Sequence, residues 1–163
     1  MKTSVKGIEL IKRFESLHDG DLSVIGLQPK ICPAGIWTEG YGNAIVYKGK
    51  FLRGEQNKQL AYALSTVKNE QDATEQLIRN LTDKFEPIVN KRLKVAVNQN
   101  QFDALVSHTY NTGGSDTLFR LINESASRDA IYKWFTTKYI TADGKVLKGL
   151  INRRKAEADL FFS

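Results

Sequence analysis

Apolar residues recur every third position near the start of the chain, at Val5, Ile8, Ile11 and Phe14. That period marks one face of an amphipathic helix. Ser4 stands ahead of it as an N-cap, and Glu15 falls near its end. From His18 to Gly54 the period is lost. Glycine and proline become frequent, and β-branched and aromatic residues alternate with polar ones. This pattern predicts short antiparallel strands near 30–32, 36–41 and 45–47, joined by glycine turns.

After Arg53 the pattern turns helical again. Asn69 followed by "EQDATEQLIRNLTDKFEPIV" predicts a long helix with a capping residue and an acidic first turn. Ala73, Leu77, Leu81 and Phe85 form its buried stripe, and Pro87 is expected to kink or shorten it. Asn98 and Gln101 have the spacing of a capping box. They open a helix whose apolar face is Phe102, Leu105, Val106 and Tyr110, and which Gly113-Gly114 closes. Further helices are expected at 117–123, around Ala130, Ile131, Trp134 and Phe135, and at "LINRRKAEADLFF", with "ADGK" as a turn. The fold class is therefore α+β, mainly α. A small β-rich lobe (about 16–66) precedes a larger helical lobe (70–163), and the first helix ties them into one domain, 1–163. A cleft between two lobes is a usual place for a ligand site.

Composition narrows the function. A chain of 163 residues, 41% hydrophobic and 26% charged, can bury a real core, which excludes a disordered protein. Its one cysteine, Cys32, excludes an internal disulfide and points to a reducing compartment. The opening "MKTSVKGIELIKRFE" mixes charges among its apolar residues, so neither a signal peptide nor stable membrane insertion is expected. Synthesis in the cytoplasm follows, and work outside the membrane would need another agent for release.

Twenty-four Lys and Arg against 18 Asp and Glu give a net charge of +6, which favours polyanionic partners. Nucleic acid, an anionic membrane face and a phosphate-bearing wall all qualify by charge. The basic residues are scattered, with short clusters only at "NKRLK" and "NRRK". No interleaved basic and aromatic motif marks a nucleic-acid-binding fold, so nucleic acid is not the expected partner. His18 and His108 are far apart, a lone cysteine cannot build a zinc cage, and "GYG" is not a dinucleotide fingerprint. Neither metal nor cofactor is expected.

What is left is Glu15 at a helix end, followed by a hairpin carrying Cys32 and Thr38. A carboxyl group in a partly desolvated cleft can protonate a leaving oxygen. Glycoside hydrolysis needs such an acid, plus a second group that activates water or stabilises the sugar cation. The plain alternatives are an exposed helix glutamate, a small buried cysteine and an ordinary strand threonine.

Several blocks together resemble a known family. "LIKRFESL", "GIWTEGYGNA", "NQNQFDALVSHTYNTGG", "TLFRLIN" and "KGLINRRKAEADLF" occur in the order seen in the phage-type lysozymes, the endolysin muramidases of glycoside hydrolase family 24. The resemblance spans nearly the whole chain. It implies a lysozyme-like two-lobe fold with a small antiparallel sheet in the N-terminal lobe and a helical C-terminal lobe. It implies hydrolysis of the β-1,4 bond between N-acetylmuramic acid and N-acetylglucosamine in peptidoglycan. It also implies a monomer that lyses the host wall after release through a holin. A catalytically weak or inactive peptidoglycan-binding module of the same fold is the alternative.

The family's catalytic pattern is a glutamate ending the first helix, an aspartate in the hairpin, and a threonine six residues after that aspartate. Glu15 and Thr38 match, while Cys32 stands where the aspartate is usual, as in a branch of the family that also has Cys-Pro-Ala-Gly. Three roles for Cys32 are open: a thiolate that positions or activates water, a nucleophile, or a passive filler. Asp19 and Asp21 could substitute for the missing carboxylate. Glu39 could too, but alternation along a strand turns it away from Thr38. Asn43 replaces the family's histidine after "GYG". By the same resemblance Tyr41, Asn43, Tyr110 and Asn111 are substrate contacts, and Arg153 approaches the catalytic glutamate. The plain alternative for Arg153 and Arg154 is a helix-surface pairing with Glu157.

Overall fold

The computed structural model describes residues 1–142 and 144–163. The chain forms two compact units, one of Glu15–Arg79 and one of Met1–Phe14 with Asn80–Ser163.

The smaller unit carries the sheet. Strands β1 (Lys30–Ile31), β2 (Trp37–Glu39) and β3 (Asn43–Ala44) form an antiparallel sheet in sequence order. Lys30 pairs with Thr38, Ile31 with Trp37, Thr38 with Ala44 and Glu39 with Asn43. The strand expected at 45–47 is split. Ile45 packs into the core with Trp37, Leu52 and Ala61 while its N–H still donates to the Trp37 carbonyl at 2.8 Å, and β4 (Val46–Tyr47) then pairs with β5 (Lys50–Phe51). Trp37 anchors that core. Its indole N–H donates to the Gly54 carbonyl at 2.8 Å, and its ring meets Tyr62 edge-on at 6.2 Å. Helix α2 (Lys58–Leu64) supplies Ala61 and Tyr62.

Helix α3 (Glu70–Asn80) is capped as its sequence predicts. The Asn69 side chain accepts from the Asp72 N–H at 2.9 Å, and the Asp72 carboxylate accepts from the Lys68 N–H at 2.9 Å. Pro87 does not break the helix. The chain widens into a π-helical turn at Leu81–Phe85 and continues as α4 (Glu86–Arg92), with Pro87 in its first turn. A wider turn relieves the ring clash and the lost N–H donor that proline imposes.

The larger unit is built around α5 (Gln99–Thr112), which opens with the Asn98–Gln101 capping box and closes at Gly113 in the left-handed conformation. The run from Phe102 to Thr109 is buried without a break, polar residues included. Each buried polar group therefore needs a partner. Asp103 takes the Ser4 N–H at 2.9 Å, the Ser4 hydroxyl, and the Gln99 amide at 2.8 Å. That fixes the start of α1 (Val5–Glu15).

Around α5 lie α6 (Asp116–Asn123), α7 (Arg128–Thr137) and α8 (Lys148–Phe161). A two-stranded ribbon, β6 (Thr141–Ala142) with β7 (Lys145–Val146), flanks the expected "ADGK" turn, whose Asp143 lies outside the described residues. Among the described residues no helix is long and apolar enough to cross a membrane.

Candidate functional site

Glu15 is the last residue of α1 and is half-buried. Ser16 follows with φ at 58°, so the chain turns sharply out of the helix there. The carboxylate reaches the turn before β3, where a Cβ added at Gly42 would stand 3.4 Å from Glu15 Oε2. Gly42 has φ +83°, where a side chain is strained, and a Cβ there would touch the carboxylate. Asn43, next in the chain, is half-buried.

The hairpin between β1 and β2 explains the residues around Cys32. Its loop has three residues, Pro33, Ala34 and Gly35, closed by Cys32 N–H to the Ile36 carbonyl and Gly35 N–H to the Cys32 carbonyl, both at 2.8 Å. Proline pre-sets the second turn position, and Gly35 takes φ +74° in the left-handed region where a side chain is strained. Arg53 and Gly54 tie the loop down, donating to the Ala34 carbonyl at 3.0 Å and the Gly35 carbonyl at 3.1 Å. Cys32, half-buried and not in a disulfide, is thus held at a fixed hairpin corner. Since side chains alternate along strands, Lys30, Cys32 and Thr38 share one face of this sheet. The Thr38 hydroxyl donates to the Lys30 carbonyl at 3.0 Å. Its only proton is committed there, so its lone pairs are left to accept from another donor.

The other carboxylates near the hairpin have structural duties. Glu39, on the opposite face from Thr38, is buried. It accepts from the Thr66 N–H at 3.0 Å, the Thr66 hydroxyl at 3.2 Å, the Val67 N–H at 3.4 Å and the Gln76 amide at 2.6 Å. Asp19 takes the N–H groups of Asp21 and Gln28, at 3.2 and 3.3 Å, and shapes the loop. Asp21 takes the hydroxyl and N–H of Ser23, which hold its pKa below the usual carboxylate range.

Tyr41, expected as a substrate contact, is 4% exposed, and its hydroxyl donates to Glu70 at 3.2 Å. Residues 41 and 70 both belong to the smaller unit, where the ring packs as core rather than offering a stacking face. Sequence reasoning missed His18. It is half-buried, and its backbone N–H donates to the Gly40 carbonyl at 2.9 Å. Burial lowers its pKa, the Lys30 ammonium lowers it further, and the Glu15 carboxylate pulls it up. The signal lay only in its place three residues after Glu15.

Tyr110, Asn111 and Arg153 belong to the larger unit. Tyr110 is half-buried with its ring 4.8 Å from that of Phe85, and the exposed Asn111 accepts from Arg154 at 2.9 Å. Arg153 is buried. It donates to Glu157 at 3.2 Å and to the Ser107 carbonyl at 3.3 Å, and lies 5.9 Å from the Phe14 ring centroid. Arg154 donates to the same Glu157 oxygen at 3.0 Å, and the Ser107 hydroxyl donates to it at 2.8 Å. The pairing at spacings of three and four is present, but the expectation of a surface pair is corrected: all three charged residues lie in the core. Among the described residues no group of His, Cys, Asp and Glu could hold a metal ion.

Residues 23–157 match the phage lysozyme family. The chain belongs to that family. An endolysin of Bacillus phage PZA is 35% identical over 167 aligned positions, covering all of this chain and 56% of the relative, so the chain spans about half of that relative's length. Among solved structures, an endolysin from Escherichia coli O157:H7 phage FAHEc1 aligns with TM-score 0.73 and 31% identity, covering all of this chain and 94% of the other. The muramidase domain of SpmX from Asticaccaulis excentricus aligns with TM-score 0.71 and 27% identity, covering 99% and 98% of the two chains.

Proposed function

We propose that this chain is a peptidoglycan muramidase acting as a phage endolysin. It hydrolyses the β-1,4 bond between N-acetylmuramic acid and N-acetylglucosamine. The observation that carries the reading is the approach of the Glu15 carboxylate to the turn at Gly42, in the unit whose hairpin holds Cys32 and Thr38 on one face. Membership of the phage lysozyme family supports it.

In this mechanism Glu15 is the general acid. It protonates the glycosidic oxygen as the bond to the muramic acid C1 breaks, leaving an oxocarbenium-like sugar. Thr38 positions the water. Its hydroxyl proton already goes to the Lys30 carbonyl, so its oxygen accepts a hydrogen from water and turns the water oxygen towards the sugar. Cys32, on the same face, stands at the second catalytic position, where as thiolate it takes the proton that the attacking water loses and becomes the thiol. Asp19 and Asp21 each accept loop groups through one carboxylate oxygen, which supports Cys32 over them at this position. Asn43, Tyr110 and Asn111 contact the glycan. The chain works as a monomer, made in the host cytoplasm and reaching the wall through a holin-type pore.

Digestion of purified peptidoglycan followed by borohydride reduction tests the reading. New reducing ends on N-acetylmuramic acid are the expected result. New ends on N-acetylglucosamine would assign a different bond. Wall binding without new ends would favour the binding module suggested by the missing aspartate.

A further inference from the structure

The β4–β5 hairpin has features that wall cleavage does not use. Its strands are only two residues each, paired Val46 to Phe51 and Tyr47 to Lys50, and among the described residues they form a two-stranded sheet whose base is tied to Trp37 by the Leu52 carbonyl. So short a ribbon has little stability of its own, yet it exposes apolar side chains. Val46 is 51% exposed, Phe51 55% and Tyr47 40%. Val46 and Phe51, directly cross-paired, share one face.

The segment is cationic, with Lys48 and Lys50 in the hairpin itself. Residues 46–58 hold Lys48, Lys50, Arg53 and Lys58 against Glu55 alone, which is half of the chain's net charge of +6. The tip is a two-residue turn with Lys48 at φ 48° and Gly49 at φ 75°. Asparagine or glycine is favoured at the first of these positions; here a lysine takes it. The Lys48 ammonium lies 5.2 Å from the Tyr47 ring centroid.

We propose that this hairpin is a docking surface for an anionic phospholipid bilayer, held peripherally. Lysines attract the phosphate headgroups, while Val46 and Phe51 enter the boundary with the acyl chains and Tyr47 sits at headgroup level. Charge alone would equally suit a phosphodiester wall polymer. Such a polymer offers no apolar phase for Val46 and Phe51 to enter, and these side chains favour the bilayer. The proposal is independent of the muramidase reading.

The test is co-sedimentation of the full chain with vesicles of equal phosphatidylglycerol and phosphatidylcholine, and with phosphatidylcholine vesicles as control. The anionic vesicles should bind at least tenfold more tightly, with affinity falling as salt is raised. Replacing both Lys48 and Lys50 by Ser should weaken binding by more than tenfold, at about fivefold per cation. Phe51→Ser should weaken it about tenfold while hydrolysis of purified walls stays within twofold, which shows that the fold is kept. Equal binding to both vesicle types overturns the proposal, as does unchanged binding in the lysine variant. Binding of soluble polyphosphate with no binding to vesicles also overturns it and makes a wall polymer the partner.

Discussion

Replacing Glu157 by Gln removes one negative charge from a site that is otherwise unchanged in shape. The site is closed: Glu157 and Arg154 are fully buried, and Arg153 is 3% exposed. One carboxylate oxygen accepts from Arg154 at 3.0 Å, Arg153 at 3.2 Å and Ser107 at 2.8 Å. Burial pushes the Glu157 pKa up, and Arg154, Arg153 and Ser107 pull against it. The variant relieves the carboxylate's own desolvation but leaves two guanidinium groups in the core without that charge. Removing one partner of a buried ion pair costs about 3–5 kcal/mol. The relieved desolvation places this case near the lower end, at about 3 kcal/mol. For a chain of this size that corresponds to a Tm lower by about 6–12 °C. Urea unfolding at neutral pH, followed by circular dichroism, should show a lower midpoint with an unchanged slope. A loss below about 1 kcal/mol would refute the reasoning and make the cluster incidental to stability.

Three other outcomes are expected. His108 sits among Trp134, Phe135 and Tyr139, and burial, reinforced by Arg154 and Arg153, lowers its pKa to about 3. The folded state thus binds the proton less readily than the unfolded chain. His108 therefore contributes stability that is full above pH 6.5 and lost as pH falls towards 3, by at most about 5 kcal/mol. The raised Glu157 pKa acts with the opposite sign, so the comparison is wild type against His108→Gln across that window. A pH dependence identical in the two proteins would contradict the assignment. For Cys32, Ala should lower wall hydrolysis at least tenfold and Asp should retain it. Near-normal activity in Cys32→Ala would make the thiol a passive filler. Thr38→Val keeps the strand but loses the hydroxyl; kcat should fall about a hundredfold with KM little changed, and an effect confined to KM would remove Thr38 from the chemistry.

The elements with strong local signals were legible in the chain. The Asn98–Gln101 box, the Asn69 cap and the glycine that ends α5 all appear where their residues predict, because each is decided within four or five neighbours. The strands were harder. Ile45 looks like a strand residue and keeps backbone bonds to Trp37 and Leu52, but there the chain changes partner from β2 to β5, a tertiary choice with no local mark. The π-helical turn before Pro87 has the same character: the proline is visible, and the chain's way around it is not.

At the candidate site, Glu15, Cys32 and Thr38 are singled out through the resemblance to the phage-type lysozymes. The Cys32 corner is readable from Pro33 and Gly35, which set a three-residue hairpin loop. The burial of Tyr41 and the four bonds that engage Glu39 were not readable, because their partners lie 27 to 37 residues away in α3 and the segment before it. The Arg153, Arg154 and Glu157 spacing reads equally well as an exposed helix face. Only the packing of α5 against α8 makes it a core cluster.

The proposed reaction rests most on the assignment of Glu15 as the proton donor that breaks the glycan. Its most direct test compares release of N-acetylmuramic acid reducing ends by wild type and by Glu15→Gln, which keeps the shape and loses the acid. Loss of a general acid costs typically a hundredfold or more. A fall of about that size, with wall binding and thermal unfolding unchanged, is the expected result. Release within a few-fold of wild type would contradict it.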